Sequence, residues 1–375
     1  MATAEEIKYD SLPSLPIDLV GEIFCRLPVK LLLQLRCMCK SWNSLISDPL
    51  FTRKHLSLST TSRLHYAYYK YEPHELIHDS FSLESVLTNI PTKFNRCDRS
   101  GRRGRCGRDR CGRFGCGRNL YNSIVGSCDG ILCVCDKSKG VVILWNPCFK
   151  KFKESPPFEN SEILTQVSSG FGFGYDHVSE NYKVVVLYYS KYNLFKTKVK
   201  VHTLGTNCWK TIESFPFGAH EQRSSIYIRG TLNWIVYTEW PRKDPRFIVS
   251  FDLGKESYQT LLPPDHAEIG LHYWSLCVLR DCLGLIFDNH VWVMKEYGIY
   301  DSWTKLLSVS YMQDPSKDYF LFNALYIFDD DRVLLQIQED SKRKLVLYNP
   351  KNDTFKVASF KNYLYVCLES LISPC

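Results

Sequence analysis

Five times between Val141 and Phe355 an apolar run ends in a polar residue and is followed, six or seven positions later, by an aromatic. The runs are Val141–Asn146, Val199–Thr203, Phe247–Asp252, Val291–Glu296 and Leu345–Asn349, and the followers are Phe152, Trp209, Tyr258, Trp303 and Phe355. Successive followers stand 57, 49, 45 and 52 residues apart, the period of one four-stranded propeller blade and far more than a sandwich strand needs. Turn residues recur inside each unit, at Asp129-Gly130, Glu180-Asn181, Arg229-Gly230, Asp281 to Gly284 and Asp329 to Asp331, as hairpins require. Five blades are countable, and residues 60 to 95 with a strand near Tyr363 to Leu368 supply chain for a sixth. One terminus then completes a blade begun by the other, which leaves no open sheet edge.

The N-terminal stretch is of another kind. From Leu12 to Phe51, 22 of 40 residues are apolar, against 45% for the chain. Pro16 is placed to open a helix, and Leu19, Val20, Ile23, Phe24 and Leu27 follow on one face. Pro28 ends that helix. A second is expected over Val29 to Cys37, and a third sets Met38, Trp42, Leu45 and Ile46 on one side until Asp48-Pro49 stops it. Three short helices in so few residues lie near the lower limit for independent folding. Apolar side chains beyond what their small core holds are therefore expected to face a partner protein.

The run Leu15-Pro16-x-Asp18-Leu19-x-x-Glu22-Ile23-Phe24-x-Arg26-Leu27-Pro28-Val29-Lys30, continued by Leu33-x-x-Arg36-Cys37-x-Cys39-Lys40-Ser41-Trp42-x-x-Leu45-Ile46, resembles the F-box of the large plant family of F-box proteins. The resemblance implies docking on a Skp-type adaptor and, through it, on cullin and RING subunits. It makes Leu15, Pro16, Leu19, Ile23, Leu27, Pro28 and Val29 the adaptor-facing positions and assigns Trp42 to the F-box core. Leu31 departs from the family, which usually has a polar residue after Lys30. The rest of the chain resembles the plant F-box-associated domain with its kelch-like propeller. That likeness is carried by Ile124-Val-Gly-Ser-Cys-Asp-Gly-Ile-Leu-Cys133, Trp145-Asn146-Pro147, Gly172-Phe-Gly-Tyr-Asp176, Tyr182-Lys183-Val184-Val185 and the closing Tyr365-Val-Cys-Leu-Glu-Ser-Leu-Ile-Ser-Pro374, although the kelch double glycine is missing. The implied layout is a flexible N-terminus over residues 1–11, an F-box over 12–56 and an all-β propeller of six blades over 57–375 with an insertion at 96–119. The implied role is that of the non-catalytic subunit of a ubiquitin ligase that captures an unidentified target protein.

Charge and cysteine usage narrow the alternatives. Nine arginines and two aspartates between Arg96 and Arg118 carry the whole net charge of +7, so the remainder is balanced and overall charge gives no argument for nucleic acid. That stretch has only Phe114 to bury and is expected to lack fixed structure. Its Cys97, Cys106, Cys111 and Cys116 have neither CxxC spacing nor a nearby histidine, which argues against zinc. An RNA-associated or structural binding protein acting through this Arg/Gly-rich insertion is the alternative of a different class. No apolar run reaches the length of a membrane span, and Glu5, Glu6 and Asp10 stand where a secretory signal is basic and then apolar. The expected location is cytoplasmic or nuclear, where the sixteen cysteines serve as small buried hydrophobes rather than disulfides.

No catalytic constellation is present, and no cofactor or metal is implied. Gly170, Gly172 and Gly174 alternate with aromatics at strand period, and no helix follows them as a phosphate loop requires. The binding face is instead predicted by strand parity. In an up-and-down blade the first-to-second and third-to-fourth turns share one face, while second-to-third and blade-to-blade links share the other. Turns of the first kind are short here. The second kind includes Ser190 to Lys198, Phe217 to Ser224, Thr238 to Arg246, Pro263 to His272 and Tyr311 to Tyr319. These links carry Tyr192, His220, Arg223, Trp240, Arg242 and His272, mostly the aromatic and arginine types favoured in binding hot spots, and the six are the candidate substrate-binding residues.

Overall fold

Asp48-Pro49 starts a helix where the sequence pattern expects a stop. The Asp48 carboxylate accepts from the N–H groups of Leu50 and Phe51 at 2.8 and 3.0 Å, and Pro49 takes the first helical position, where no N–H is needed. The N-terminal unit accordingly has four helices rather than three: α1 (Ile17–Phe24), α2 (Val29–Leu35), α3 (Lys40–Ser47) and α4 (Pro49–Leu58). The computed structural model describes residues 15–59, 62–70, 75–88, 122–136, 140–149, 151–158, 168–190, 193–212, 215–216, 224–237, 246–265, 274–287, 289–310, 319–340, 342–360 and 364–374.

After α4 come β1 (Ser62–Lys70), β2 (Glu75–Ser82) and the short α5 (Leu83–Thr88). Five four-stranded antiparallel blades follow in chain order. They are β3–β6 (Asn122–Cys128, Ile131–Asp136, Val141–Asn146, Lys151–Glu154), β7–β10 (Ser168–Asp176, Asn181–Ser190, Asn193–Thr203, Lys210–Ile212), β11–β14 (Ile226–Ile228, Thr231–Tyr237, Arg246–Asp252, Ser257–Leu261), β15–β18 (Trp274–Leu279, Cys282–Phe287, His290–Met294, Trp303–Ser308) and β19–β22 (Tyr319–Ile327, Val333–Glu339, Lys342–Asn349, Thr354–Phe360). The final strand, β23 (Leu364–Leu368), pairs with β1, Ser62 opposite Leu368, to give a sixth sheet in the order β2-β1-β23. The C-terminus thus supplies the inner strand of a blade whose outer strands come from the N-terminal side, as the sequence led us to expect.

Inner strands β3, β7, β11, β15, β19 and β23 adjoin one another in a closed ring. Apolar side chains fill every gap between neighbouring blades; Phe171, Phe173 and Val184 meet Val125 and Cys133 in one such cluster, and Ile124, Trp145 and Cys367 close the ring between the β3–β6 blade and β23. The FGFGYD run is β7, and its glycines serve close approach. A Cβ on Gly174 would stand 2.1 Å from the Tyr227 ring, and one on Gly172 would stand 2.6 Å from Leu232. Buried thiols such as Cys133 and Cys277 lie within this packing, and none of the described cysteines is in a disulfide.

The short turns match the predicted parity, with two adjustments. Asp129-Gly130 and Arg229-Gly230 have positive φ at both positions, as the twist-matched two-residue hairpin demands. In the fourth described blade that turn is Arg280-Asp281, and Gly284 belongs to β16, so the turn sits one to three residues earlier than the sequence suggests. On the other face, Ser190 to Lys198 is not a long link: β8 runs to Ser190, β9 begins at Asn193, and the two residues pair with each other.

Polar contacts join successive blades on the short-turn face. Lys183 Nζ, buried, donates to the Leu253 carbonyl at 2.8 Å and faces Asp176 at 2.9 Å and Glu256 at 3.3 Å. Tyr297 reaches back to hydrogen-bond with Thr231, Asn233 and Ser250, and Arg280 pairs with Asp331 at 2.9 Å.

Candidate functional site

Helix α1 is apolar on two sides, and only one side is used by its own core. Phe24 and Cys25 are buried, Phe24 meeting the half-buried Trp42 edge-on at 5.2 Å between ring centres. Facing solvent are Leu15 at 59%, Leu19 at 51% and Ile23 at 49% exposure, with Ile17 beside them. Pro16 and Pro28 are also exposed, and Leu27 is half-buried against the helical core. The exception among the seven positions expected to face an adaptor is Val29. It is 2% exposed and packs inside the helical unit with Phe24 and Leu32, because it is the first residue of α2 and turns inward. In the free chain it thus offers a partner almost no surface. Leu31 and Met38, both exposed, add apolar surface on the same unit.

The other side of the unit is seated on the short-turn face of the propeller. Cys148 and Phe149, from the turn between β5 and β6, pack against the helical core, and the Arg36 guanidinium lies 5.5 Å above the Phe149 ring. Arg53 on α4 stacks 3.9 Å from the Tyr175 ring centre and approaches Asp129 at 3.6 Å, while Tyr182 donates to the same carboxylate at 2.8 Å. Leu371, on the C-terminal tail beyond β23, is 3% exposed and is an integral member of the helical core. None of these seat residues was predictable as such from helix periodicity, since they are drawn from α2, α4, three separate turns or strand ends, and the tail. The available signal was that Cys-Asp-Gly, Trp-Asn-Pro and Glu-Ser-Leu-Ile occur once each in a chain otherwise built on repetition.

The six propeller candidates, Tyr192, His220, Arg223, Trp240, Arg242 and His272, lie outside the described residues. The strand ends bordering their links, among them Ile212, Tyr237, Arg246, Leu261 and Trp274, are on the face opposite the short turns. The helical unit therefore occupies one face of the ring, and the longer links depart from the other. Among the described residues no group of three or more His, Cys, Asp or Glu is placed to hold a metal, and no helix is long and apolar enough to cross a membrane.

Comparison with known proteins agrees with both halves. Residues 12–54 match the F-box domain family, and residues 113–373 match the F-box associated beta propeller domain family. An Arabidopsis thaliana protein named F-box/kelch-repeat protein At3g23880 is 32% identical over 354 residues, covering 91% of this chain and 89% of its own. F-box protein CPR1 from the same plant is 27% identical over 92% of this chain and 85% of its own length. With an exposed apolar helix on a four-helix unit, a six-bladed ring closed by its two ends, and family matches spanning both, the chain belongs to the F-box proteins that carry a C-terminal F-box-associated β-propeller domain.

Proposed function

We propose that this protein is the substrate-recognition subunit of a Skp-cullin-F-box ubiquitin ligase, acting in the cytoplasm or nucleus. Its F-box docks on a Skp-type adaptor, its propeller holds a target protein, and ubiquitin is transferred by the cullin-bound RING machinery rather than by this chain. The observation that carries this reading is the row Leu15, Leu19 and Ile23, which stays half exposed although the opposite side of α1 is fully engaged. Covering four such side chains, with Ile17, offers roughly 1 kcal/mol each, a good core for an interface whose rim is polar. Co-purification of the full chain with a Skp-type adaptor and cullin that survives nuclease tests it. Loss on nuclease treatment or at raised salt would instead favour attachment through nucleic acid bound by the Arg96 to Arg118 stretch.

The target is assigned to the face opposite the F-box, on the links that bear Trp240 and Arg242. Support comes from topology: the short-turn face is occupied by the F-box seat, and the longer links border strand ends on the other side. Alanine at Trp240 and Arg242 together is expected to weaken target capture at least tenfold, read by proximity labelling under proteasome inhibition, with adaptor binding and melting temperature unchanged. Equivalent changes in the short turn Arg280-Asp281 should leave capture intact; the reverse pattern overturns the face assignment.

A further inference from the structure

We infer that the seat beneath the F-box is a positioning device for ubiquitin transfer, in which the C-terminal tail, Arg53, Asp129 and Asn146 hold the propeller at one fixed angle to the adaptor face. The inference builds on the ligase role proposed above.

A single covalent joint leads from α4 into β1, and beside it the tail leaves β23, since Ser62 and Leu368 are paired neighbours. Two adjacent attachments define a hinge. Further attachments away from that hinge line remove the remaining freedom, and the described residues include Phe149 under Arg36 in the β3–β6 blade, Tyr175 with Asp129 under Arg53 at the boundary with the β7–β10 blade, and Leu56 of α4 against the apolar cluster between those two blades. The F-box is thereby fixed to three successive blades.

The tail is held by groups of the β3–β6 blade that also serve its own turns. Polar residues end the third strands of several blades, where their side-chain oxygen caps the next turn: Asp252 accepts from Gly254 N–H, Asn349 from Lys351 N–H, and Asn146 from Cys148 N–H. Asn146 differs in where its other end goes. Fully buried, its amide Nδ2 donates to the Ser370 carbonyl at 3.1 Å and the Ile372 carbonyl at 2.7 Å, a job that an aspartate at that position cannot do. Ser370 Oγ donates to the Asp129 carbonyl at 2.6 Å. The backbone beside it must be glycine, because a Cβ on Gly130 would stand 2.3 Å from Ser370 Oγ and 2.9 Å from the Leu368 carbonyl. Leu371 is thus delivered into the F-box core while Ile372 is delivered into the propeller core. A tail that serves both cores makes the two one body, so a target on the far face meets the transfer machinery from one direction, as oriented reaction requires.

The test uses the full chain bound to a Skp-type adaptor, with spin labels on unnatural amino acids at the exposed Lys40 and Lys255. Wild type is expected to give one narrow distance distribution. Asn146→Asp, which keeps the turn cap but removes the donors, combined with Arg53→Ala, is expected to broaden it severalfold, while adaptor affinity stays within twofold. In a ligase reconstituted with cullin, RING and ubiquitin, the self-ubiquitinated lysines mapped by mass spectrometry should be a confined set for wild type and should spread over the propeller for the variant; Lys351→Ala, on the same face but off the seat, should change neither readout. Should Asn146→Asp lose cooperative melting, Arg36→Ala with Arg53→Ala, which leaves the tail contacts intact, carries the same test. A distribution as narrow as wild type, or an unchanged lysine map despite broadening, overturns the inference. Failure of wild type to bind adaptor overturns the ligase role instead, and the distance measurement on the free chain still decides whether the seat is rigid.

Discussion

Aspartate at both Leu19 and Ile23 is expected to cut adaptor capture at least a hundredfold while the propeller melts at its wild-type temperature. In the free protein both side chains are about half exposed, so a carboxylate at either remains hydrated, and surface changes of this kind usually shift stability by only about 0.5 kcal/mol. In the complex the same carboxylates are covered without a partner, which costs several kcal/mol apiece, and about 1.4 kcal/mol is a tenfold change in affinity. Phe24→Asp is the contrasting control. Phe24 is buried against Trp42, so that change should unfold the helical unit itself and be visible as lost helix signal. Calorimetric titration of each purified variant with adaptor separates the two cases. Adaptor affinity at the wild-type level in Leu19→Asp with Ile23→Asp would remove α1 from the interface.

The repetition of the chain made the ring legible, because a blade is a local object: its strands pair with sequence neighbours, and its turns carry the residues that positive φ selects. That is why Val141–Asn146 appears as β5 with unchanged bounds and why Trp303 and Phe355 fall on outer strands. What periodicity cannot show is where two local objects touch. Leu371 looks like one more apolar residue of a C-terminal run, yet it completes a helical core more than 300 positions earlier in the sequence. Val29 was assigned by resemblance to a surface, and only three-dimensional packing reveals that the first residue of α2 points inward. The fourth helix was missed for a subtler reason. Asp-Pro disfavours continuation of one helix and favours initiation of the next through the same chemistry, and the apolar pattern of PLFTRKHLSL is too weak to say which applies. Ser190 to Lys198 shows the converse error, since strand parity puts a link across these residues although β8 and β9 pair as far as Ser190 and Asn193.

Lys183→Met is expected to destabilise the propeller by about 3–5 kcal/mol, the range seen when one partner of a buried ion pair is removed, and so to lower the melting temperature by roughly 10 °C for a domain of this size. The methionine keeps the length of the stem but leaves Asp176, 1% exposed, without its cation. It also frees one oxygen of Glu256, whose other oxygen stays with Lys210 at 2.6 Å. Burial alone would raise the Asp176 carboxyl; hydrogen bonds from Ser179, Lys183 and the Val178 N–H outweigh it and bring the group down from 3.8 to about 2. A carboxyl held below its unfolded value contributes stability that is present above pH 4 and is lost as pH falls toward 2. The deficit of Lys183→Met should therefore be largest near neutrality and shrink as pH falls toward 2, where the carboxylate begins to be protonated even with the lysine in place. Asp176→Asn in the Lys183→Met background keeps the acceptor that Val178 uses and removes the orphaned charge, so it should restore more than half of the lost stability at pH 7 although the pair is gone. Equal deficits at pH 7 and pH 2, or no recovery in the double variant, would show that Lys183 contributes through the Leu253 carbonyl and its packed stem rather than through the ion pair.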